Sequence, residues 1–161
     1  MGAKNELKLR KKRVLSRKAA KQFRKQAMKV FGEVNAKTIG IGEAGDGSKV
    51  YLLDGEAVYA QTQHLIYPTL NNPHIEQLPS VIVDMGAIPY VCKGADIMSP
   101  GVVRIEGNFK EGDLVVIRDI NHGKALAIAS TLISSDDFEG MKKGKAFKNL
   151  HYVGDKIWGA I

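Results

Sequence analysis

Between Arg17 and Gly32 the apolar residues Ala20, Phe23, Ala27, Val30 and Phe31 recur at steps of three and four, the period of one helix face. Ser16 in front and Gly32 behind are residues that cap a helix at its two ends, so this stretch predicts an amphipathic helix. Elsewhere the apolar runs are short. Leu7 and Leu9 alternate with charged residues between Glu6 and Leu15, which predicts an exposed edge strand. A strand is expected from Lys37 to Gly42. Two more, Lys49 to Leu53 and Glu56 to Ala60, are joined by Asp54-Gly55, a dipeptide that favours the type I′ hairpin turn. His64 to Leu70 carries a Tyr-Pro-Thr-Leu block. The stretch from Asn71 to Ser80 is then polar, with Pro73 and Pro79, and this shift predicts a boundary between two small domains near residue 80.

The segment from Val81 to Arg104, VIVDMGAIPYVCKGADIMSPGVVR, opens with an apolar run and is punctuated by Gly86, Pro89, Gly94, Pro100 and Gly101. That pattern predicts a strand, a tight loop and another strand. At its centre Lys93-Gly94-Ala95-Asp96 sets a cation beside a residue without a Cβ, where backbone N–H groups can approach a ligand closely. Ser99-Pro100-Gly101 stops any helix begun at Ala95 after about one turn. A short helix N-terminus beside a lysine and a glycine reads as a phosphate cradle, and equally as an ordinary connection with a solvated lysine. Further on, Leu114 to Ile120 and Lys124 to Ile133 predict strands linked by Asn121-His122-Gly123. Ser134 or Ser135 caps a short helix from Asp136 to Met141. Asn149 to Val153 and Lys156 to Trp158 predict closing strands around Gly154-Asp155. Many short strands with one small helix predict a compact β-barrel.

Charge changes this picture at one end of the chain. The net charge of the 161 residues is +7, but residues 1–30 hold 12 of the 24 Lys and Arg against the single acid Glu6. Residues 31–161 hold the other 12 against 16 acids. Lys11, Lys12, Arg13, Arg17, Lys18, Lys21, Arg24 and Lys25 therefore form a basic patch on the predicted first strand and helix, suited to a polyanion such as nucleic acid. A hydrophobic content of 44% suffices for packed cores. No apolar run approaches the roughly 20 residues of a membrane span, and there is no signal-peptide core, so a soluble, cytoplasmic protein is expected. The lone Cys92 excludes an internal disulfide and is expected to be a packed, unreactive thiol.

The sequence carries no pattern for enzymatic chemistry. Gly40 to Gly45 matches G-x-G-x-x-G but precedes a strand pattern, and Ser48-Lys49 after Gly47 reverses the order a phosphate-binding loop needs. His64, His74, His122 and His151 lack the spacing of metal ligands, so no metal and no cofactor are expected. No nucleophile elbow is present, and Asp136-Asp137 belongs to a helix start.

The runs Tyr67-Pro68-Thr69-Leu70, Val83-Asp84-Met85-Gly86-Ala87-Ile88, Gly94-Ala95-Asp96-Ile97-Met98 with Pro100-Gly101, and Leu150-His151-Tyr152 with Trp158 stand in one order along nearly the whole chain. They resemble the PUA domain, an RNA-binding module. More closely they resemble the translation-associated proteins related to malignant T-cell amplified sequence, of the archaeal type, which place a pre-PUA domain before a PUA domain. That resemblance implies an α+β pre-PUA domain at 1–79 and a mainly β PUA pseudo-barrel at 80–161. It also implies a noncatalytic RNA-binding protein of translation, acting on the ribosome or tRNA in initiation, reinitiation or recycling. Carried over by position, Lys93, Gly94, Ala95, Asp96, Met98, Pro100 and Gly101 form one wall of an RNA groove, and Lys145, His151 and Tyr152 the other. Backbone N–H groups of Gly94 and Ala95 are then expected to face phosphate or ribose, Lys93 and Lys145 to neutralise phosphate, and His151 or Tyr152 to stack, with barrel packing as the alternative for these last two. The partners implied are tRNA or ribosomal RNA, the small ribosomal subunit and an initiation-factor-like protein, with no membrane. Two other roles stay open, an accessory RNA-binding subunit of an RNA-modification enzyme and a protein adaptor.

Overall fold

The amphipathic helix forms where its caps place it. In a computed structural model that describes residues 8–161, α1 runs Arg17–Phe31, the Ser16 hydroxyl accepts a hydrogen bond from the Ala19 N–H, and Gly32 closes the helix at φ 84°. Of the expected first strand, Glu6 and Leu7 lie outside the described residues. What is described is β1, Arg10–Val14, exposed at every position. β2 (Ile39–Glu43), β3 (Lys49–Leu53), β4 (Glu56–Thr62) and β5 (Leu65–Pro68) follow, and the antiparallel sheet has the order β1-β2-β3-β4-β5. At the β3–β4 turn Asp54 and Gly55 both adopt positive φ, 49° and 86°, as a type I′ turn requires. Helix α1 seats Phe23 and Ala27 on the sheet against Ile39, Ile41, Tyr51, Tyr59 and Ile66. The Phe23 ring lies 4.3 Å from that of Tyr51 and 5.6 Å, edge on, from that of Tyr59.

Contacts separate the described residues into two units, one running to Pro73 and including Lys156–Ile161, the other His74–Asp155. The polar stretch ahead of residue 80 is more ordered than its composition suggests. It holds a 3-10 turn at Pro73–Gln77 with Ile75 buried, and the Glu76 carboxylate lies 3.2 Å from the Arg118 guanidinium.

The second unit is built on β6 (Ser80–Val83), β7 (Ile97–Met98), β8 (Val102–Glu106), β9 (Leu114–Asp119), β10 (Ala125–Thr131) and β11 (Lys145–Tyr152). Their order is β7-β11-β10-β9-β6-β8, with β6 parallel to β9 and every other pair antiparallel. The sheet curls around Val81, Val83, Phe109, Val115, Ile117, Ala127, Ala129 and Phe147, all buried. Two short helices complete it, α2 at Ile88–Val91 and α3 at Ser135–Phe138, the latter capped by the Ser134 hydroxyl. An α+β sheet-and-helix domain followed by a mainly β pseudo-barrel is the layout the sequence implies. Two local expectations fail. The segment after β6 contains helix α2, because Pro89 falls in a first helical turn where no N–H is needed. Lys156 to Trp158 is not a strand, and the chain there turns into a 3-10 helix at Trp158–Ala160.

Candidate nucleic-acid interface

Asp84, at the end of β6, starts the loop that builds the site. Its carboxylate Oδ1 and its backbone carbonyl both accept from the Ala87 N–H, at 2.9 and 3.1 Å, which folds the chain into α2. The helix lasts one turn, to Val91, and the turn that closes it ends at Gly94, which takes φ 94°. There the Gly94 N–H donates to the Val91 carbonyl and the Ala95 N–H to the Tyr90 carbonyl, each at 3.0 Å. This closure corrects the expected phosphate cradle. Both N–H groups are consumed by α2, and the helix end they face is its carbonyl end, which repels an anion. Gly94 is required by packing as well as by its positive φ, since an added Cβ would lie 3.0 Å from the Tyr152 ring.

What α2 does create is a groove of about 720 Å³. Ala87, Tyr90 and Val91 form one side, and Ile97, Met98, Pro100 and Gly101 the other. Its walls are mainly apolar, and Tyr90, 68% exposed, and Met98, 45% exposed, present an aromatic ring and a thioether at its rim. The groove carries three charged side chains: Asp84, Asp96 and Lys145. Lys145 Nζ lies 3.4 Å from Asp96 Oδ2, and Asp96 Oδ1 accepts the Asn149 N–H at 3.0 Å. The Asn149 amide in turn donates to the carbonyls of Val91 and Ala95, each at 3.1 Å, which fixes the α2 loop to β11.

Seven of the residues expected at the RNA surface thus line one groove: Gly94, Ala95, Asp96, Met98, Pro100, Gly101 and Lys145. The other three lie elsewhere. Lys93 is exposed but outside the groove lining. His151 has no exposed surface, and its Nδ1 sits 2.9 Å from Asp155 Oδ2, so packing rather than stacking is its role. Tyr152 is partly buried beneath Gly94. Asp84, Gly86, Ala87, Tyr90, Val91 and Ile97 also line the groove, and the sequence did not assign them to the site. The available signal was Asp84 three residues before Ala87, the spacing of a side chain that caps a turn.

In the first unit Lys12, Arg13, Arg17, Lys18, Lys21 and Lys25 are exposed and form no ion pair among the described residues. Lys11 lies 3.6 Å from Glu43. Arg24 is withdrawn from the basic patch, because its guanidinium donates to the carbonyls of Val34 and Ala36 at 2.8 and 2.6 Å and ties down the loop after α1. Cys92 packs at the edge of the second core, and burial pushes its thiol above the ordinary range, away from thiolate chemistry.

The second unit matches the PUA domain family over residues 79–153. An uncharacterized protein of Methanocaldococcus jannaschii is 36% identical, over 94% of this chain and 98% of its own. Translation machinery-associated protein 20 of Eremothecium gossypii is 30% identical, over 91% and 86%. The crystal structure of a hypothetical protein from Pyrococcus horikoshii superposes with a TM-score of 0.74 at 30% identity, covering 91% of this chain and 97% of that one. The chain belongs to the PUA-domain family that includes translation machinery-associated protein 20 and the malignant T-cell-amplified sequence proteins.

Proposed function

We propose that this is a noncatalytic RNA-binding protein of translation that acts on the ribosome or on tRNA. The observation that carries the reading is the α2 groove: apolar walls, an exposed aromatic ring and few charges suit an unstacked base with its ribose, and the exposed Lys93, outside the lining, would meet phosphate. The exposed cations of β1 and α1 supply a second, sequence-independent contact to RNA. The translational context comes from the relatives named as translation machinery-associated proteins.

Copurification from cell extract tests it. The reading expects ribosomal subunits or tRNA to be recovered, with recovery lost when Tyr90 and Lys145 are replaced by alanine. Recovery of a modification enzyme instead would make the protein an accessory subunit, and an initiation-factor-like protein without RNA would make it an adaptor.

A further inference from the structure

We propose that Asp84 gives the groove a base preference, selecting a nucleobase that presents an amino group and rejecting uracil. The inference rests on the groove being an RNA site. Of its three charged side chains, Asp96 and Lys145 satisfy one another, and Asp96 is also held by the Asn149 N–H. Asp84 differs. Its Oδ1 is engaged by the Ala87 N–H, whereas Oδ2 forms no hydrogen bond among the described residues and is not a buried atom. The groove therefore offers one open anionic acceptor among apolar walls. An ionised carboxylate there repels phosphate and carbonyl oxygens and accepts from N–H groups. Cytosine presents its 4-amino group to such an acceptor; uracil presents a carbonyl at the same position, and its N3–H lies between two carbonyl oxygens that the carboxylate repels.

The bond to Ala87 makes the substitution Asp84→Asn informative. The turn keeps its acceptor if the asparagine carbonyl takes the Oδ1 place, and the amide NH2 then occupies the open position. A donor replaces an acceptor without change of shape, so the preference should invert.

The test is fluorescence anisotropy with short cytidine and uridine homopolymers, whose bases differ at position 4 and in whether N3 carries a hydrogen, at fixed salt. The wild-type chain should bind oligocytidine about tenfold more tightly than oligouridine. Asp84→Asn should bind oligouridine more tightly, with an unchanged melting temperature. Equal affinities in the wild-type chain would overturn the inference even if the variant failed to fold. Tyr90→Ala separates the two levels of the argument. If it weakens both oligomers while the wild type does not discriminate, the groove is the RNA site and Asp84 is not its selector. If it weakens neither, the groove reading itself fails, and the selector with it.

Discussion

Gly94 and His151 belong to two of the sequence motifs that mark the site, yet each is held by the fold. Gly94→Ala puts a Cβ against the Tyr152 ring at φ 94° and should cost about 1–3 kcal/mol, read as a lowered denaturation midpoint. His151→Ala leaves the largely buried Asp155 carboxylate without its imidazole partner and should destabilise the second unit by a similar amount, about 1–3 kcal/mol. Neither change removes a group that lines the groove with its side chain, so RNA affinity measured well below the midpoint should be nearly retained. A sharp loss of affinity at unaltered stability would return these residues to the RNA surface. Tyr90→Ala is the opposite case. The ring is 68% exposed, so its loss should leave stability alone and weaken single-stranded RNA binding by about 1–3 kcal/mol, the worth of one stacked base.

At the scale of elements, two hairpin ends are held by carboxylates. Asp119 accepts the backbone N–H groups of His122 and Lys124, and Asp54 those of Thr38 and Lys37; these bonds hold both carboxyls below the usual range. A carboxyl lowered in the folded state stabilises the fold above its unfolded value, about 3.9, and that contribution is lost as pH falls through the folded value. Stability should therefore change little between pH 7 and about 5 on their account and fall below about pH 4. Asp119→Asn should flatten that acid limb in denaturant melts taken at several pH values. These hairpins were legible from Asp54-Gly55 and Asn121-His122-Gly123 because turn chemistry is local. Helix α2 was not, since four residues give no period to read, and Pro89 signals a break unless its place in a first turn is known. The error carried into the site. A helix placed at Ala95 aims N–H groups at a ligand, whereas the turn that closes α2 at Gly94 has used them.

For the whole molecule, the central claim is that RNA is bound in the second unit by a groove that takes bases and in the first by cations that take phosphate. The cations were legible from charge asymmetry alone, apart from Arg24, whose inward turn depends on carbonyls ten and twelve residues further along the chain. The groove's composition needed the structure, because Asp84, Tyr90 and Met98 converge only once α2 and β7 are folded. Each phosphate neutralised contributes about −0.7 to −0.9 to the salt slope. Replacing Lys12, Arg13, Arg17 and Lys18 together should therefore flatten the slope by several units at little cost to the fold, and an unchanged slope would make the patch a solvated face. The most direct test of the groove is ultraviolet crosslinking of bound tRNA to the full chain, followed by mass spectrometry of the modified peptides. Crosslinks to Tyr90 and Met98 are the predicted result. Crosslinks confined to peptides of β1 and α1 would contradict the account.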